Sequence, residues 1–189
     1  LILWGPPGSG KTTLASILAR STSAKFIDLS AVTAGVSDLR AAILESHNNL
    51  SMHELRTVLF IDEIHRFSKS QQDVILPHVE NGTFTLIGAT TENPSFEVIA
   101  PLLSRCRVFT LNKLTAKDIA TIVKRALHNK ERGLGSKSID VHENAIDIIS
   151  NMASGDARWA LNTLELVFDT IDPSGPCEVI SDKTILEVV

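Results

Sequence analysis

The chain has 189 residues, 43% hydrophobic and 21% charged, an ordinary globular composition that excludes disorder and suits one large domain or a domain with a small satellite. A formal charge of −4 excludes general electrostatic attraction as a way of holding nucleic acid, so any such contact must come from a local basic patch. The two cysteines, Cys106 and Cys177, form no C-x-x-C pair and no secretory signal is evident, which predicts a reducing compartment; the longest apolar runs are strand-length and predict no membrane span.

An apolar run, Leu1-Ile2-Leu3-Trp4, meets the glycine-rich turn Gly5-Pro6-Pro7-Gly8-Ser9-Gly10, and Lys11-Thr12-Thr13 then opens a segment with helical spacing of Leu14, Ile17 and Leu18. This is the strand–loop–helix context that a G-x-x-x-x-G-K-[ST] phosphate loop requires. Gly8 and Gly10 allow successive N–H groups to turn inward around an anion, and the helix start adds unsatisfied N–H groups and the positive end of its dipole. In such a loop Lys11 reaches the outer phosphates and the Thr12 hydroxyl ligates magnesium. The competing reading, a glycine turn before a solvated lysine, does not explain why strand, loop and helix stand in register. Because the chain begins inside this first strand without a methionine, we expect it to be a piece of a longer protein.

Further along, Lys25–Leu29 reads as a second strand, and Ser37 or Asp38 as the cap of a helix carrying Leu39, Ile43 and Leu44, with polar His47–Met52 as the connection out. The run Val58-Leu59-Phe60-Ile61 followed by Asp62 and Glu63 describes a buried parallel strand whose carboxyl end carries charge, the end at which open α/β sheets bind ligands. There Asp62 holds magnesium and Glu63 orients and deprotonates a water, unless the two acids only cap the next turn. Lys69–Val79 follows as a helix, Thr83–Ala89 as a strand ending in Thr90-Thr91, Pro94–Leu103 as one short helix, and Val108–Leu111 as a last strand. From Asn112 the alternation stops. Ala116–Lys130, Asn144–Met152 and Ala157–Asp172 are helical, Glu131–Ser138 is a loop, Pro173–Pro176 breaks structure, and Asp182 caps a final helix. The pattern therefore predicts an α/β unit over 1–112 and a small all-helical unit over 113–189.

Four strings carry a family resemblance: Leu59 to Phe67, Lys69 to Asp73, Ile87 to Phe96, and Gly155-Asp156-Ala157-Arg158. With the phosphate loop they resemble the AAA+ ATPases of the clamp-loader-like clade. More closely they resemble the replication-associated recombination protein A family, which includes the Werner helicase-interacting protein. The resemblance implies a parallel five-stranded P-loop sheet flanked by helices, followed by a helical lid, and ATP and Mg2+ as ligands. It implies that Lys11 and Thr12, within the loop Gly5, Pro6, Pro7, Gly8, Ser9, Gly10 and Thr13, are the Walker A residues, and Asp62 and Glu63 the Walker B pair. Thr91 corresponds to sensor 1, with Thr90 second; Arg105 to an arginine finger inserted into a neighbouring subunit; Arg158 to sensor 2. Fixed guanidinium groups suit the charge that spreads over γ-phosphoryl oxygens. Without the resemblance, Arg105 reads as a surface residue and Arg158 as part of a helix cap.

The function so implied is DNA-dependent ATP hydrolysis in replication-fork maintenance, repair and recombination by a homo-oligomer, on forked, single-stranded or primer-template DNA and with replication-fork proteins as partners. Arg40, Arg66 and Lys69 are the candidate DNA contacts, against the alternative of a solvated surface. Rival readings are a clamp-loader subunit or Holliday-junction branch-migration motor, and an ATP-gated scaffold that recruits fork proteins. A P-loop kinase is disfavoured because the helical unit follows the whole sheet. Ser104-Arg105-Cys106 leans towards the nucleus, whereas Arg132-Gly133 and Leu161–Glu165 look equally like bacterial cytoplasmic relatives.

Overall fold

A computed structural model describes residues 1–136, 140–170, 179–180 and 185. Its contacts divide the chain into two compact units, Leu1–Pro6 with Gly10–Leu111, and Pro7–Ser9 with Asn112–Val189.

The first unit is a five-stranded sheet in the order β2-β3-β4-β1-β5, in which β1 is Ile2–Trp4, β2 Lys25–Ser30, β3 Thr57–Asp62, β4 Thr85–Thr90 and β5 Val108–Thr110. Every neighbouring pair is parallel. Parallel strands need crossovers, and helices supply them: α1 Lys11–Ser21, α2 Val36–His53, α3 Lys69–Glu80 and the short α4 Pro94–Glu97 and α5 Ala100–Leu103. The central strand β3 is buried on both faces, which is why its sequence is continuously apolar. Val58 and Phe60 turn to the side of Leu3, Ile87 and the Ala15 and Ala19 positions of α1. Leu59 and Ile61 turn to the other side, against Leu39 and Ala42 of α2, Ile75 of α3 and Leu102 of α5. The sheet is thus covered by helices on both faces.

The second unit packs α6 (Ala116–His128), α7 (Glu143–Met152) and α8 (Ala157–Thr170) around Ile119, Val123, Ala145, Ile149, Ala160, Leu164 and Val167. It also holds a two-residue parallel pair, β6 Asp140–Val141 with β7 Val179–Ile180, which no alternation in the sequence announces.

Three local expectations need correction. The cap of α2 is Gly35, neither Ser37 nor Asp38; Asp38 sits three residues further on and accepts the Gly35 N–H at 2.7 Å. The stretch His47–Met52 is helix, because its polar groups face outward and Asn49 ties the helix to Thr57 of β3 at 3.3 Å. The helix ends only at Glu54, in the left-handed region at φ 52°. Finally, Pro94–Leu103 is two helices. Pro101 has no N–H to give the Glu97 carbonyl, and Gln72 of α3 supplies that bond at 3.0 Å. The same buried amide accepts the Ile99 N–H at 3.0 Å and donates to the Phe67 carbonyl at 3.0 Å. The expected break at Pro173–Pro176, the helix capped by Asp182, and Cys177 lie outside the described residues.

Gln72 therefore stitches α3 to the segment that follows β4, with every polar atom in use. Gln72→Leu strands three backbone groups, one buried and two partly buried, and is expected to cost roughly 2 kcal/mol, read from the denaturant midpoint. A loss below about 0.5 kcal/mol would mean that the backbone finds other partners.

Candidate functional site

Because all five strands run the same way, the segments after β1, β3 and β4 leave from one edge of the sheet. The phosphate loop follows β1, the acid pair ends β3, and the threonine pair ends β4, the strand between them. The Gly5 N–H donates to the Thr90 carbonyl at 3.2 Å, so the loop starts in register with the end of β4. A Cβ at Gly5 would come within 2.6 Å of the Leu111 carbonyl oxygen, which only glycine avoids.

Gly8 and Gly10 have φ of 67° and 88°, the left-handed region expected of a loop that turns its N–H groups inward. Gly10 is the N-cap of α1, which has no side-chain cap and no acid in its first turn. A helix start without an acid in its first turn is electrostatically suited to an anion. Lys11 is buried, 7% exposed, and its Nζ donates to the carbonyls of Gly5 at 2.9 Å and Pro6 at 3.0 Å. Thr12 is half-buried and Thr13 exposed in the same turn.

At the end of β3, Asp62 accepts the Glu63 N–H at 3.1 Å. Asp28, on the adjacent strand β2, has its carboxyl held above the usual carboxylate range, first by burial and then by the negative charge of Asp62. Glu63 sits in the left-handed region, φ 51° and ψ 47°, ahead of a 3-10 turn over Ile64–Arg66. Gly88 lies beneath that turn, and a Cβ there would lie 3.0 Å from Ile64 Cδ1 and 2.9 Å from Ile2 Cδ1. Thr91 donates to Glu63 Oε2 at 3.2 Å. Thr90 is fully buried, and its hydroxyl is engaged with Glu92 and His65. Of the two threonines, then, it is Thr91 that meets the acid.

The remaining candidates are dispersed. Arg105 pairs with Glu80 and donates to the Pro101 carbonyl at 2.8 Å. With side chains 41% and 40% exposed, that pair is a surface one, worth about 0.2–1 kcal/mol and readily exchanged. Arg158 is exposed in the first turn of α8 within the helical unit. The cap of that helix is Asp156, which accepts the Arg158 N–H at 2.9 Å and the Trp159 N–H at 3.2 Å, so the guanidinium is not spent on capping. Arg40, Arg66 and Lys69 are all exposed, on α2, the 3-10 turn and the start of α3. His65, which residue-by-residue reading left without a role, is the main addition. Its only signal was a histidine two places beyond an acid pair. No helix among the described residues is long and apolar enough to cross a membrane.

Residues 1–114 match the family model described as ATPase family associated with various cellular activities (AAA). The chain belongs to the AAA family of ATPases. This AAA chain is 48% identical over 190 residues to replication-associated recombination protein A of Escherichia coli strain K12, a match covering 100% of the chain and 42% of that protein. It is 52% identical over 189 residues to the protein of the same name from Coxiella burnetii, covering 100% and 42%. To ATPase WRNIP1 of Dictyostelium discoideum it is 48% identical over 165 residues, covering 87% of the AAA chain and 19% of the relative. In structure it is similar to the Thermotoga maritima RuvB Holliday junction branch migration motor, with TM-score 0.76 and 30% identity over 99% of the chain and 59% of that protein. The AAA chain thus spans 42% of the length of its bacterial relatives.

The raised Asp28 carboxyl, set first by burial and then by Asp62, has a consequence for stability. A raised carboxyl in the folded state means that folded chains hold more protons than unfolded ones between the ordinary value of 3.8 and the raised one. Stability is therefore lost as pH rises through that window and stays lower at neutral pH. Asp28→Asn is expected to raise the thermal midpoint at neutral pH, with the gain shrinking as pH falls towards 3.8. A lower midpoint at neutral pH would contradict this.

Proposed function

We propose that this AAA chain is the ATP-hydrolysing part of a DNA-dependent ATPase that maintains replication forks and supports repair and recombination. The observation that carries the reading is the Thr91–Glu63 hydrogen bond at 3.2 Å, which joins two strand ends beside the strand that opens into the phosphate loop. The likeness to replication-associated recombination proteins supplies the biological setting.

In this reading the N–H groups of Gly8 to Thr13 bind the phosphates, and Lys11 exchanges the carbonyls of Gly5 and Pro6 for the outer phosphate oxygens. Thr12 and Asp62 hold magnesium. Hard oxygen donors of this kind suit an ion that keeps most of its waters and binds through one or two carboxylates plus phosphate. Among the described residues there is no His/Cys/Asp/Glu cluster of the kind that forms an all-protein cage. When bound, magnesium neutralises charge on the phosphate oxygens. Glu63 takes the proton of the attacking water and Thr91 holds the polar group beside the γ-phosphate. Arg158 and the Arg105 of a neighbouring copy meet the charge that develops on the transferred group, a contribution of about three to five orders of magnitude for an arginine finger. Hydrolysis so arranged needs a homo-oligomer.

The exposed Arg40, Arg66 and Lys69 are the proposed DNA contacts, for forked, single-stranded or primer-template DNA, with replication-fork proteins as further partners. Relatives from Escherichia coli and Coxiella burnetii favour the bacterial cytoplasm over the nucleus. The likeness to the RuvB motor favours one alternative, branch migration, which junction-unwinding by the full-length protein distinguishes from fork-stimulated hydrolysis.

Glu63→Gln is expected to keep ATP binding while lowering turnover at least about a hundredfold. Turnover at the wild-type rate would remove Glu63 as the base. Arg105→Ala is expected to be inactive alone and to regain activity when mixed with Glu63→Gln, because some interfaces then hold both groups. No recovery on mixing would mean that Arg105 does not act between copies. Charge reversal at Lys69, Lys69→Glu, is expected to lower DNA stimulation of the ATPase while basal turnover is kept. Unchanged stimulation would remove these contacts.

A further inference from the structure

The 3-10 turn over Ile64–Arg66 returns the chain to the sheet edge directly after Glu63 and is closed by the Arg66 N–H on the Glu63 carbonyl at 2.8 Å. Ile64 is fully buried beneath it, and the His65 side chain is only 8% exposed. His65 Nδ1 lies 2.9 Å from Thr90 Oγ1 and 3.2 Å from Glu63 Oε2. The surrounding hydrogen-bond network assigns the tautomer. The Thr90 hydroxyl has one hydrogen, given to the Glu92 carbonyl at 3.1 Å, and its oxygen accepts the Glu92 N–H at 3.0 Å. It therefore accepts from His65 as well, which puts the proton on Nδ1. An unprotonated Nδ1 would instead point a lone pair at a carboxylate 3.2 Å away. The Nδ1–H is shared between Thr90 and Glu63.

We propose that His65 is a positioning residue for Glu63, an inference that rests on the reading of Glu63 as the base. The terminal torsion of a glutamate is broad and soft, so a carboxylate without partners samples many orientations. Here Oε2 receives two donors, the His65 Nδ1–H and the Thr91 hydroxyl, from different strand ends. Both contacts fall on one oxygen, which leaves Oε1 to face the water and take its proton. Thr90 holds the imidazole in turn, so the chain Thr90–His65–Glu63 carries the rigidity of the end of β4 to the base. A general base works only within hydrogen-bond reach of its proton, and a displacement of about 1 Å costs up to about a hundredfold in rate. His65 acts through Glu63 and takes no part in proton transfer itself.

The test is steady-state ATP hydrolysis by the full-length protein, with ATP affinity measured separately by fluorescent-nucleotide titration. His65→Leu is expected to lower kcat at least about tenfold while KM and affinity stay within about twofold. His65→Asn places an amide near the Nδ1 position and is expected to retain a third or more of the wild-type kcat, whereas His65→Gln, which reaches towards Nε2, is expected to match the leucine variant. Should the leucine variant not fold, the Asn and Gln variants, both polar and close in size, decide the matter between them. In a Glu63→Gln background, His65→Leu is expected to add no further loss, as befits two residues acting as one unit. Equal rates for Asn and Gln, an additive loss in the double variant, or a change confined to KM would overturn the proposal. If Glu63→Gln alone leaves turnover intact, the base reading fails; if it abolishes turnover while His65→Leu does not, only the positioning role fails.

Discussion

Everything that gathers at the candidate site depends on the parallel register of β3, β4 and β1. Trp4 lies level with Thr90 and Ile61 level with Gly88, so three chain segments leave the sheet at nearly the same height and in the same direction. One antiparallel strand in this set would send an acid pair or a phosphate loop to the far edge. The register is held by a continuous apolar strand, β3, buried on both faces between helices.

The edge itself is built from backbone constraints as much as from side chains. Gly5 must lack a Cβ to pass the Leu111 carbonyl, and at Gly88 a Cβ would press on the side-chain tips of Ile2 and Ile64, beneath the turn that carries His65. Glu63 takes a left-handed conformation that disfavours any residue with a Cβ, at a cost of about 1–2 kcal/mol. The hydrogen bonds around it, from Thr91 and His65 to its carboxylate and from Arg66 to its carbonyl, hold it there. A left-handed backbone and two side-chain donors thus meet at the carboxylate we propose as the base.

Much of this was legible beforehand. Five strands, their continuous or half-apolar character and the glycine-rich turn before Lys11 are local features, and local features survive into the structure. What was hidden is non-local. Gln72 looked like an ordinary polar residue on a helix, yet it replaces the hydrogen bond that Pro101 cannot make, and that exchange splits one expected helix in two. His65 lay inside a string recognised for its family likeness, but its partners stand 25 residues away in sequence at Thr90 and beside it at Glu63. The helical continuation through His47–Met52 was obscured because an outward-facing helix end and a loop have the same polar composition. The β6–β7 pair is two residues long in each strand, too short for any alternation to show.

The central claim is that the phosphate loop and the acid pair serve one triphosphate. A crystal structure of the full-length protein with a non-hydrolysable ATP analogue and magnesium tests it most directly. The account predicts Lys11 Nζ on the β- and γ-phosphate oxygens instead of the Gly5 and Pro6 carbonyls, with Thr12 and Asp62 around the metal and Glu63 facing the γ-phosphate. A nucleotide bound elsewhere, or one bound here with Asp62 and Glu63 turned away from it, would contradict the account.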